Sequence, residues 1–139
     1  MRFRFTSPWV AAASFLLAGA AYGQNLFGPA EMPADFRMRP EITATHPTTV
    51  DLDLLSAQQP GGKFTLNLMP GVEYTASVHR VERRSPDSYT VAGRLVGFDE
   101  SLFIFCVEQD VAAMMVDMPV ERKLWRTRYG GGGVHVVCS

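Results

Sequence analysis

The chain has 139 residues, 47% apolar, 19% charged and 11% aromatic, with 13 Lys and Arg against 14 Asp and Glu. This is the composition of one ordinary globular domain and excludes disordered, collagen-like and coiled-coil chains. A formal charge of -1 excludes a general electrostatic grip on nucleic acid, and no apolar run reaches the ~18 residues of a membrane-spanning helix.

Residues 1–23 read as a signal peptide. Arg2 and Arg4 form a positive start, Trp9 to Ala21 an apolar stretch, and Ala21-Tyr22-Gly23 a small-residue cleavage site before Gln24. The expectation is a secreted or periplasmic protein cleaved after Gly23. Removal of this segment leaves 11 basic against 14 acidic side chains.

Residues 24–48 carry Pro29, Pro33 and Pro40 without a clean period, which predicts an extended arm. Its Leu26, Phe27, Phe36 and Met38 are more apolar than a linker needs, so they are expected against the domain or a partner. Residues 49–139 read as strands divided by turn signals, the pattern of an all-β domain.

Thr49 to Leu55 (TVDLDLL) alternates as a strand, and Phe64, Leu66 and Leu68 alternate in the next. After Pro70-Gly71, Val72 to His79 alternates again, and Ser85-Pro86-Asp87 turns the chain into Tyr89 to Val96. Leu102 to Val107 (LFIFCV) is apolar on both faces, as for a central strand packed on two sides. Val111 to Met118 is nearly all apolar, Arg122 to Tyr129 mixes charge with Leu124 and Trp125, and Val134 to Cys138 closes the sheet. The prediction is a small antiparallel meander or sandwich of about eight short strands.

Catalytic patterns are missing from the sequence. No His-Glu-x-x-His places two imidazoles on one helical face around zinc, and no Gly-x-Ser-x-Gly forms a nucleophile elbow. His46, His79 and His135 fall in separate segments, and the odd spacing of His135 and Cys138 points them to opposite faces of a strand. Asp51 and Asp53 share one face of the predicted first strand and read as solvated aspartates, with Ca²⁺ binding or acid–base work the sharper alternative. The run His79 to Arg84 reads as a charged edge or as a surface for an acidic partner. Gly130 to Gly133 leads into a strand, which favours a hairpin over a phosphate loop. The chain is accordingly expected to be neither an enzyme nor a cofactor binder.

Cys106 and Cys138 each follow apolar residues at period two and so are expected to share one inward apolar layer. An oxidising compartment favours a disulfide between them. It would close a loop of 33 residues and contribute ~3–4 kcal/mol. Unbridged, Cys138 is a thiol able to reach a metal in another protein.

From Val50 to Val137 the order of segments resembles the propeptide region of secreted bacterial zinc metalloendopeptidases of the reprolysin-like, adamalysin-related class. The residues that carry the resemblance are VDLDLL at Val50, the strand FTLNL, and Tyr74-Thr75 through Val78-His79-Arg80-Val81-Glu82. Gly93-Arg94-Leu95-Val96-Gly97 and the GGGGVHVV ending complete it. The resemblance implies a folding aid or latency module that covers a protease cleft, and makes Cys138 a candidate ligand to the partner's zinc. The sequence runs to Ser139 without a protease domain. The expectation is therefore a propeptide-like module that binds, inhibits or assists a zinc metalloprotease in trans, or the remnant of a protease precursor. The alternative is an extracellular β module with an unrelated ligand.

Overall fold

The computed structural model describes residues 24–139; the expected signal peptide lies outside them. The chain forms nine strands: β1 (Phe27–Pro29), β2 (Thr45–Val50), β3 (Lys63–Met69), β4 (Val72–Ser85), β5 (Ser88–Leu95), β6 (Phe98–Glu108), β7 (Val111–Met118), β8 (Lys123–Gly131) and β9 (Val134–Cys138). One helical turn, α1 (Leu52–Ser56), lies between β2 and β3. All nine strands join one antiparallel sheet in the order β1-β2-β9-β8-β7-β6-β5-β4-β3. The fold is all-β, and β3 to β9 form an up-and-down meander. One sheet curled on itself, rather than two stacked sheets, encloses the core.

The two ends of that order meet, so the sheet is nearly a barrel. Leu26 N donates to Thr65 O at 3.0 Å, and Thr65 N to Gln24 O at 3.0 Å. Beyond them the Asn67 side chain stands in for a strand. Its Oδ1 accepts from Phe27 N at 3.0 Å and its Nδ2 donates to Phe27 O at 2.7 Å. Period-two alternation then fills the interior with Phe64, Leu66, Phe103, Phe105, Val116 and their neighbours, all almost wholly buried. Phe64 meets Phe103 and Phe105 edge-on at 5.8 and 6.3 Å, a favoured aromatic geometry. Gly93 makes this packing possible. A Cβ there would fall 1.9 Å from Ser77 O and 2.8 Å from the Phe103 ring.

A second break in the ladder lies between β7 and β8. Their register runs from Met118 and Lys123 only as far as Met115 and Arg126. Past that point side chains take over. Thr127 Oγ1 accepts from Met114 N at 3.0 Å and donates to Ala112 O at 3.2 Å. His135 Nε2, reaching across from β9, accepts from Ala112 N at 3.0 Å.

Several sequence expectations are corrected. Thr49 to Leu55 is not one strand: Asp51 ends the extended backbone and caps α1, its carboxylate accepting from Leu54 N at 3.0 Å. Only Leu55 of the helical turn is buried. The arm predicted over 24–48 contains β1 and most of β2. Leu26 and Phe27 belong to the core, whereas Met38 is exposed. LFIFCV is packed on one side only. Phe103, Phe105 and Val107 face the core, while Leu102 is 44% exposed on the outer wall. The expected disulfide is absent, and both cysteines are free. Cys106 and Cys138 do share a face, the outer one, but β7 and β8 stand between their strands. Three ladder steps of ~4.8 Å put them well beyond the ~7 Å Cα separation of a bridge.

Candidate binding surface

The segment between β1 and β2 is a strap laid across the outside of β8 and β9. Pro33 presses on Gly130, where a Cβ would lie 2.5 Å from the proline ring. The Arg128 guanidinium covers the Phe36 ring at 4.9 Å and donates to Arg37 O at 3.0 Å. At its far end Thr43 N donates to Ser139 O and Ser139 N to Ala44 O, each at 3.1 Å. The strap explains why β9 is buried on both faces. Val137 belongs to the core, while Val136 and Cys138 point outward yet are 0% and 5% exposed.

Between strap and barrel runs a groove of about 650 Å³. Ile42, Leu124 and Cys138 supply its apolar surfaces, and Arg39, Arg126 and Arg128 its cations, with Glu41 on the strap side. Alternation along β8 explains the placement: Leu124, Arg126 and Arg128 face outward while Trp125 is buried inward. Among the described residues the ion pairs are Arg80–Glu82 at 3.4 Å and Arg84–Glu108 at 3.7 Å, both on the opposite part of the wall. The groove arginines hold no carboxylate partner there.

The groove opens onto the outer wall of β6 to β8. Register places Ile104, Met115, Arg126 and Cys138 in one row across four strands, and Leu102, Asp117 and Leu124 in the next. Leu102 and Leu124 are 44% and 41% exposed, Cys106 and Ala113 are exposed, and Ile104 and Met115 are half-buried. This is the apolar face of the strand that the sequence pattern expected to be covered.

The sequence-nominated residues are dispersed. Asp51 caps α1 and Asp53 lies within it, so they do not form a carboxylate pair on a strand. The basic run is occupied locally: Arg83 donates to Ser56 O and Gln58 O, and stacks on Tyr89 at 5.6 Å. Arg84 reaches Ser88, Thr90 and Glu108. The glycine quartet forms the β8–β9 hairpin, with Gly132 and Gly133 at φ of +60° and +80°, the backbone of a tight primed turn. His79 lies on β4, far from His135, whereas His46 on β2 stands opposite Val137 and is a diagonal neighbour of His135 on the adjacent strand.

His135 is a structural residue. Accepting from Ala112 N at Nε2 places its own proton on Nδ1, which is buried and makes no hydrogen bond of good geometry among the described residues. Burial holds its pKa below the ordinary imidazole value, with the Gly133 carbonyl acting in the opposite sense. The Cys138 thiol is pushed up by burial, with Arg128 opposing. It donates to Val136 O at 3.6 Å. Lying beneath the strap, it is poorly placed to reach a partner's zinc. Cys106 sits in the open on β6 and accepts from Thr90 Oγ1 at 3.8 Å. Among the described residues no three His, Cys, Asp or Glu side chains converge as a metal cage.

The sequence pattern along β8 exposed its outward cations, but not their meeting with Arg39. That juxtaposition depends on the strap's path, which no local period encodes. Comparison with known proteins leaves the family open: no family model matches the chain, and no curated protein matches it. A chain in a solved structure described as a chaperone–substrate complex is similar, with a TM-score of 0.61 and 15% identity over 82% of this chain and 84% of that one. At that identity the likeness is one of fold.

Proposed function

We propose that this chain is an exported, non-catalytic module that binds another polypeptide through the outer wall of β6 to β8. The observation that carries the reading is the apolar patch on the outer wall formed by exposed Leu102 and Leu124 and half-buried Ile104 and Met115 in two adjacent rows. Contiguous exposed apolar surface beside polar rims marks protein-binding sites. The resemblance to metalloprotease propeptides supplies the candidate partner, a reprolysin-like zinc metalloprotease that the module inhibits or helps to fold in trans. The structural neighbour from a chaperone–substrate complex is compatible with a protein-binding role and goes no further.

Calorimetric titration of the purified protein against such a protease, with protease hydrolysis followed in parallel, tests the reading. The native module should bind and hydrolyse nothing itself. Replacing Leu102 and Met115 together by Asp should weaken binding by about tenfold or more, as for the centre of an interface. The thermal midpoint should hardly move, because both side chains point away from the core. Unchanged binding in that variant, or no binding by the native protein, defeats the proposal.

A further inference from the structure

We infer that the strap groove takes an extended acidic segment of the partner, carboxylates against Arg39 and Arg126 and an apolar side chain against Ile42 and Leu124. The inference rests on the polypeptide-binding reading above and adds the chemistry of what is bound. Charge is its first support. From residue 24 onward the chain is net acidic, yet six of its 11 cations, Arg37, Arg39, Arg122, Lys123, Arg126 and Arg128, fall on the strap, β8 and the turn before it. None of them is in an ion pair among the described residues. Of the five cations elsewhere, three are matched: Arg80 and Arg84 have carboxylate partners and Arg83 has backbone carbonyls, while Lys63 and Arg94 stand singly among the described residues. Three arginine side chains line the groove against the single acidic side chain of Glu41, and a net positive field over a low-dielectric floor attracts the opposite charge.

The floor decides which anion fits. Ile42, Leu124 and Cys138 offer apolar surface, which a bare phosphate backbone would leave unused and an alternating acidic–apolar peptide would cover. The row from Cys138 through Arg126 and Met115 to Ile104 makes groove and outer wall one surface. A partner seated on the wall can thus run a segment under the strap's edge. Arg128 is already committed to Phe36 and Arg37, so it fixes the strap, while Arg39 and Arg126, both exposed, meet the ligand.

Fluorescence anisotropy with a blocked, labelled peptide alternating Glu and Leu tests this on the purified protein. That peptide should bind at low salt and weaken as salt is added. Its Gln/Leu counterpart should bind about tenfold less well or worse, because charge-assisted contacts are lost, and its Lys/Leu counterpart should not bind. The double variant Arg39→Gln, Arg126→Gln should lose a similar factor at an unchanged thermal midpoint. No binding of the Glu/Leu peptide, equal binding of the Lys/Leu peptide, or tighter binding of oligothymidylate overturns the inference. The two readings separate in the protease titration. Full binding by the arginine double variant with loss in the Leu102, Met115 variant sinks the groove alone; full binding by both sinks the module reading as well.

Discussion

At the seam between β1 and β3, one neutral amide replaces a missing stretch of ladder: Asn67 both accepts from and donates to Phe27. At the seam between β7 and β8 the same work is divided between Thr127, which bonds Met114 N and Ala112 O, and His135, which bonds Ala112 N. Asparagine carries a donor and an acceptor spaced like those of a peptide group, so a single residue can mimic a strand. The second seam has no such residue and recruits a side chain from the next strand but one. One of its members can gain a proton. The first closure is therefore indifferent to acidity and the second is not.

Breaking the first seam should have the largest effect. Asn67→Leu keeps the bulk but leaves the Phe27 N–H and C=O without partners, which costs about 3 kcal/mol for two lost bonds at a partly buried site. Urea unfolding should register that loss, and amide exchange should accelerate first at Leu26 and Phe27. Thr127→Val, a near-isosteric change, removes both hydroxyl bonds at the second seam and should cost about 2 kcal/mol, with faster exchange at Met114. The smallest effect sharpens the contrast. Because the folded pKa of His135 lies below its unfolded value, the unfolded chain binds the extra proton, and stability falls as pH drops through the ordinary imidazole range near ~6.5. Above that range the contribution is complete. In His135→Gln, whose carbonyl can still accept from Ala112 N, this part of the pH dependence should vanish. A slope identical to that of the native protein would show that His135 is not its source.

The strands from β3 onward were legible because each is an alternating or continuously apolar run that ends at a Gly- or Pro-containing turn or a polar one. Sequence failed where two local patterns coincided. VDLDLL alternates as well as any strand, but Asp51 is also a good helix cap, and tertiary contacts chose the cap: Leu55 is buried and Tyr89 donates to Leu52 O at 3.2 Å. β2 was obscured by Pro47, which argues against a strand interior. Pro47 is tolerated because β1 pairs only from Thr48 onward, leaving it a neighbour on one side. The two cysteines share a face as their period implies, but it is the outer one and not the expected inward one, and a period says nothing about how many strands separate two positions. The binding surface was half legible. The outward cations of β8 and the apolar outer row of β6 and β7 stand in the sequence, whereas the strap that turns them into a groove does not.

The position of β2 between β1 and β9 also dictates when this protein can finish folding. Thr45 to Thr48 pair with His135 to Cys138, so the earliest part of the domain waits for the last to emerge. Until then β3 to β8 form a meander of local hairpins, quick to assemble because each loop is short. Its free edges, however, are templates for pairing with another chain. A chain halted anywhere before β9 keeps the β8 edge open and lacks the β9 part of the surface on which the strap lies. The vulnerable interval is thus the delay between the making of the first hairpin and the arrival of five C-terminal residues, and an escort that shields sheet edges would matter most in that interval.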